Sequence, residues 1–234
     1  MNLPILETPT YELNLISVDE PVKYRPFLVK EEKILLTAME GEDPVEIINA
    51  VKQILKNCTL EDIDIEKLPT FDMEHLFLNI RSKSVGESSD IIIECEKCNE
   101  SIPINISLSD INPTIDENHT PQVKLNEKIT IEMKYPTMEN LASYTQSDSS
   151  TEQTFQMIEE SIFAIYDSEN VYYMDDFPES ERETFINSLT QEQFLSIAEF
   201  FNTMPTLTKD ISYDCKDCNI TNTITLSGLQ SFFA

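Results

Sequence analysis

The sequence predicts an α+β protein: helical segments packed around two matched β-hairpins, with a further β-hairpin at the N-terminus. Three observations carry this. Strand-like and helix-like stretches come in blocks, without the regular alternation of βαβ units. Two near copies of one turn, "IIIECEKCNESIPINI" at 91–106 and "ISYDCKDCNITNTITL" at 211–226, each set a CxxC between runs of β-branched residues. Before and between them, apolar residues recur at helical spacing.

Taken in order, "TYELNLISVDEPVKYRPF" predicts short strands at 10–16 and 21–26 joined by an acidic turn. In "LVKEEKILLTAME", Leu28, Glu31, Ile34, Leu35 and Ala38 fall at helical spacing. The stretch "DPVEIINAVKQILKNC" offers Asp43 as N-cap, Pro44 at the first helical position and Glu46 three residues past the cap. Its apolar stripe runs through Ile47, Ile48, Val51, Ile54 and Leu55. A third helix runs through "TFDMEHLFLNIRSKSVG", with Leu76, Phe77 and Ile80 inward and Gly86 at its end. After the first CxxC, "QVKLNEKITIEMKYP" alternates on either side of "NEK" as a hairpin does. Helices are then predicted over "STEQTFQMIEESIFAIYD", with Phe155, Ile158, Ile162 and Ile165 on one face, over "ESERETFINSLT", and over "TQEQFLSIAEFFNTMP". The last opens on a capping box, Thr190 and Gln193, and stops before Pro205. The order divides the chain into an N-terminal hairpin or arm (1–28), a helical segment (29–88), a first cysteine hairpin plus a β-hairpin (89–136), a helical insertion (137–207) and a second cysteine hairpin with a C-terminal tail (208–234).

Composition restricts the function. With 43 acidic and 16 basic residues the formal charge is −27, which repels phosphate backbones and anionic lipid surfaces. No direct nucleic-acid partner and no membrane insertion are expected. The N-terminus has no basic segment followed by an apolar stretch of signal-peptide length, so a soluble, non-secreted chain is expected. Three glycines leave no GxGxxG and no phosphate loop. His75 and His119 lie in no HExxH or nucleophile-elbow context and read as packing or surface histidines. Acidic runs such as "EDIDIE" follow no EF-hand spacing and read as solvated faces. "VYYMDD", with Tyr172, Tyr173 and Met174, reads as a strand or contact patch, with buried packing the safer assignment.

The cysteines carry the sharpest signal. In a chain of this kind, paired CxxC turns point to metal or redox chemistry before structural disulfides. A redox CxxC opens a helix, whereas both copies here sit at hairpin tips. One tip offers two sulfurs, and tetrahedral zinc takes four. Cys95, Cys98, Cys215 and Cys218 are therefore expected to hold one structural Zn²⁺ in a zinc-ribbon-like site, with two independent reduced thiol pairs as the alternative. Four thiolates leave no open position for water or substrate, so the site reads as structural, and no catalytic or organic-cofactor residues are assigned. Cys58, after the second helix, reads as a buried apolar thiol. Zinc ribbons also occur in transcription and RNA-processing complexes, which leaves such an adaptor, and less so a CxxC thiol oxidoreductase, as rival functions.

One stretch goes further. "KYRPFLVKEEKILLTAMEGED", residues 23–43, resembles the corresponding opening of the T4-like bacteriophage baseplate proteins, the family that includes the baseplate hub subunit and the hub assembly protein; "YRPFLVKEEK" is its most distinctive string. The resemblance implies a non-enzymatic role in building the hub of a contractile tail, with other hub or tail proteins as partners. Its place would be the host cytoplasm during assembly or the finished tail. It also singles out Tyr24, Arg25, Phe27, Lys30 and Lys33 as a contact surface, against the plainer expectation that Tyr24, Phe27 and Leu28 pack the hairpin on the first helix.

Overall fold

The computed structural model describes residues 6–41, 43–140 and 150–228. The first five residues of the expected arm and the last six of the expected tail lie outside them. The chain forms two compact units, one built from the chain up to Thr114 and again from Thr206, the other from Ile115–Pro205.

In the first unit, β1 (Tyr11–Leu13) and β2 (Val22–Tyr24) form the expected N-terminal hairpin. The Arg25 N–H donates to the Cys58 carbonyl and the Leu60 N–H to the Lys23 carbonyl, so the second arm of the hairpin is stitched to the end of a helix. That helix is α2 (Pro44–Cys58), preceded by α1 (Val29–Glu40). Asp43 caps α2 by accepting from the Val45 N–H. Satisfying one of the orphan N–H groups of the first turn in this way contributes about 1 kcal/mol. α3 (Thr70–Val85) is the central helix. Phe71, Met73, Leu76, Phe77, Leu78 and Ile80 are all buried, which is more than one stripe and marks a helix packed on several sides. Asp72, also buried, accepts the N–H groups of Ile16 and Ser17 and so ties the N-terminal arm to this helix. Gly86 ends α3 at φ +140°, a conformation other residues rarely adopt.

Two hairpins complete this unit: β3 (Ser88–Glu94) with β4 (Ser101–Ser107), and β10 (Thr206–Cys215) with β11 (Ile220–Ser227). Their inward residues meet in one cluster. Ile91, Ile93 and Ile106 come from the first hairpin, Leu207, Tyr213 and Leu226 from the second, and Leu78 from α3. β5 (Pro113–Thr114) pairs with the start of β10, setting Thr114 opposite Thr206. The chain therefore leaves for the second unit and returns from it on neighbouring strands.

The second unit holds a four-stranded antiparallel sheet in the order β6 (Gln122–Lys124), β7 (Thr130–Met133), β8 (Ile162–Tyr166), β9 (Val171–Tyr173). Helices α4 (Ser150–Ser161), α5 (Glu179–Asn187) and α6 (Gln191–Thr203) supply its core together with the sheet. Ile131, Ile158, Ile162, Ile197 and Phe200 are almost completely enclosed. Two sequence expectations change here. The helix predicted to run through Ile165 stops at Ser161. The run Ile162–Tyr166 is β-branched and aromatic, fits either period, and gains strand partners on both sides. The β6–β7 hairpin, grouped by sequence with the first cysteine hairpin, belongs instead to the inserted unit, because β7 pairs with β8. No helix among the described residues is long and apolar enough to cross a membrane.

Candidate metal centre

Each cysteine turn is built the same way. β3 ends at Glu94 and Cys95 follows; the chain turns through Glu96–Cys98, and Asn99 takes φ +57° before β4 begins. β10 ends on Cys215, the chain turns to Cys218, and Asn219 takes φ +52° before β11. In the first turn the Asn99 N–H donates to the Cys95 carbonyl at 2.8 Å and the Cys95 N–H to the Glu100 carbonyl at 2.9 Å. The left-handed residue redirects the chain back into the hairpin, and asparagine tolerates that conformation better than most residues. The repeated asparagine directly after each second cysteine is a signal the sequence carried and the motif reading passed over.

The two tips face one another. Cys95 Sγ lies 3.7 Å from Cys218 Sγ and Cys98 Sγ lies 3.5 Å from Cys215 Sγ, pairs separated by 123 and 117 residues of chain. All four sulfurs are within 4.8 Å of one another. A tetrahedron with metal–sulfur bonds of about 2.3 Å has sulfur–sulfur edges of about 3.8 Å. The closest edges already match this, and the widest needs a contraction of about 1 Å. In both tips the first cysteine is buried and the second is more open.

Hydrogen bonds favour a charged sulfur here. The backbone N–H groups of Lys97 and then Cys98 hold the Cys95 thiol down to about 6, and the Asn222 side-chain amide also donates to its sulfur at 3.7 Å. The Glu100 N–H pulls Cys98 down, yet Cys215, burial and the neighbouring thiols outweigh it and push Cys98 up to about 12. Burial, Cys215 and Cys95 likewise raise Cys218. Four thiols this close cannot all ionise alone, whereas a divalent cation at their centre lets them do so by displacing the protons. A soft four-sulfur set with amide donors around it suits Zn²⁺ and leaves no open coordination position.

The other singled-out residues fall into different settings. Tyr24 is 2% exposed. Arg25 is turned inward: its guanidinium meets Glu31 Oε1 at 2.9 Å and donates to the Asn57 carbonyl at 2.8 Å, and the Glu31 side chain is fully buried. Sequence reading missed this pair because nothing local identifies Glu31 as the partner. The Phe27 ring sits 5.7 Å from that of Phe77. Lys30 and Lys33 remain open and line a groove of about 430 Å³ between α1 and α2 with Glu46, Asn49 and Gln53. Cys58 is fully buried, its thiol pushed up to about 11 by burial. His75 is buried in α3. His119 meets Thr203 Oγ1 at 3.0 Å and the Tyr135 hydroxyl at 2.9 Å and stacks on the Tyr135 ring, a packing arrangement.

A family model, described as T4 bacteriophage base plate protein, matches residues 8–234. The chain belongs to that family. The match takes in the 23–43 stretch that suggested it and both cysteine turns of this baseplate protein, so one family spans both units. Membership gives it a structural role in a phage baseplate, with other baseplate or tail proteins as neighbours. No curated protein and no solved structure matches the chain.

Proposed function

We propose that this baseplate protein is a non-enzymatic component of the central hub of a contractile tail, or a factor that assembles it, and that one structural Zn²⁺ bound by Cys95, Cys98, Cys215 and Cys218 holds it together. The observation that carries the reading is the convergence of four sulfurs from two hairpin tips that lie on either side of an inserted unit. The ion's chemistry is geometric: it fixes four thiolates and with them two hairpins. Lys30 and Lys33, beside the α1–α2 groove, are the exposed ones among the five residues singled out for contact with a neighbouring hub subunit. The sites of action are the host cytoplasm during assembly and the tail of the virion.

Native mass spectrometry of the protein purified from infected cells tests this. One zinc per chain with baseplate proteins attached is the expected spectrum. Zinc with polymerase subunits or RNA would keep the metal and discard the hub. A metal-free chain with Cys95–Cys98 oxidised would discard the clamp.

A further inference from the structure

Among the described residues, the second unit carries an unpaired sheet edge. β9 is the outer strand of the four, and Val171, Tyr172 and Tyr173 are 45%, 37% and 46% exposed. The sequence favoured burial for these aromatics, but the structure encloses only Met174 beside them. The Asp167 N–H donates to the Asn170 carbonyl and so closes the β8–β9 turn as a hydrogen-bonded pair. Pairs alternate along an antiparallel ladder, so Tyr166–Val171 and Ala164–Tyr173 are non-hydrogen-bonded; the main-chain N–H and C=O of Val171 and the N–H of Tyr173 point outward, while the Tyr173 C=O opens the 3-10 turn Met174–Asp176.

Beside this edge, between β9 and α5, lies an apolar pocket of about 300 Å³ walled by Ile129, Ile165, Tyr172, Phe177 and Phe185. An open main-chain ladder next to a pocket for one side chain is the arrangement that receives an added strand: hydrogen bonds give affinity and the pocket gives selectivity. The charge around it decides the occupant. Asp167 and Glu169 stand at one end of β9, Asp175 and Asp176 at the other, and Glu181 at the pocket. Arg182 at the pocket wall already faces Glu159 at 3.1 Å, and Lys134 faces Asp175 at 3.5 Å. A second copy of a chain with charge −27 would bring the same acids against these.

We infer that β9 and its pocket receive an extended segment of another protein, added as a fifth strand, with one apolar anchor flanked by lysine or arginine. The inference stands independently of the metal site. It is tested by selecting random short peptides against the full-length protein and mapping one binder by amide NMR. Enriched peptides should carry a single Leu, Ile, Phe or Met with basic neighbours, perturb the amides of residues 171–174, and bind more weakly as salt rises. Val171→Pro removes an outward N–H at an edge position where proline is tolerated, and should weaken binding about fivefold to tenfold. Glu181→Lys leaves the strand intact and should weaken the same peptide. Enrichment of acidic peptides, shifts elsewhere, binding indifferent to both variants, or self-association of the chain through β9 would each overturn the inference.

Discussion

The two units solve the problem of a core differently. The inserted unit draws Ile131, Ile158, Ile162, Ile197 and Phe200 from one continuous stretch of chain. The cysteine-bearing unit draws its hairpin cluster from three places: α3, the β3–β4 hairpin, and a β10–β11 hairpin that arrives only after the whole insertion. Bringing distant segments together costs loop-closure entropy, and a hairpin pair whose outer faces are open buries modest apolar area to offset it. The four-cysteine cluster lies at the tips of these two hairpins, at the end of β10 opposite its pairing with β5. A metal cross-link there, as proposed, would supply locally what a continuous core supplies by burial.

The strongest way to break this comparison is to remove the clamp. Chelation, or Cys215→Ser, is expected to destabilise the first unit on the order of 10 kcal/mol of metal-linked folding energy. Hydrogen exchange should accelerate in β3–β4 and β10–β11 together while β7 and β8 keep their protection. Equal loss in both units, or none, would show that the cysteine cluster does not selectively stabilise the first unit.

Glu31 offers the next largest effect. Burial alone would lift its carboxyl, but the Arg25 guanidinium, the Leu28 N–H and Lys30 outweigh burial and hold its pKa below the ordinary 4.5. The stabilisation is therefore complete above that value and drains away as pH falls through the lower folded pKa. Glu31→Ala strands a largely buried guanidinium and should cost the first unit about 3–5 kcal/mol in urea unfolding at neutral pH. The loss should shrink in acid, as the wild type gives up the same contribution.

Two core truncations sharpen the comparison. Leu78→Ala and Ile197→Ala both empty fully buried sites, one in each cluster. Each should cost about 2–5 kcal/mol. With the cysteine site metal-loaded as proposed, calorimetry should assign the loss to a different transition in each variant.

The smallest effect compares the two cysteine turns with each other. Asn99→Ala and Asn219→Ala place a residue poorly suited to positive φ at the same point of each tip and should cost about 1–2 kcal/mol apiece. The glycine variants should be close to neutral. Unequal losses, read as thermal shifts, would show that the turns are not the matched halves they resemble.

Much of this was legible in the residues, wherever the signal was local. Asp43 and Pro44 start α2, and Thr190 with Gln193 closes the capping box that starts α6, because caps act within one turn. The CxxC copies with their strand flanks gave both hairpins and all four clustered thiols. The reading failed where two periods fit one stretch. Ile158, Ile162 and Ile165 suit a helix face, and only pairing to β7 and β9 converts Ile162–Tyr166 to strand. Tyr172 and Tyr173 are the other departure: their apolar character predicted burial, but β9 is the outer strand of the sheet among the described residues and leaves them partly exposed.

The sequence by itself determined the α+β class, the N-terminal hairpin, the caps of α2 and α6 and the chemistry of the donor set, since turn propensity, capping and thiol spacing act over a few residues. Tertiary structure decided that Cys95 faces Cys218 and Cys98 faces Cys215, that Arg25 turns inward to Glu31, and that the insertion departs and returns across the Thr114–Thr206 pair. Those choices rest on which distant surfaces exclude water together, and the information for them is spread over the whole chain.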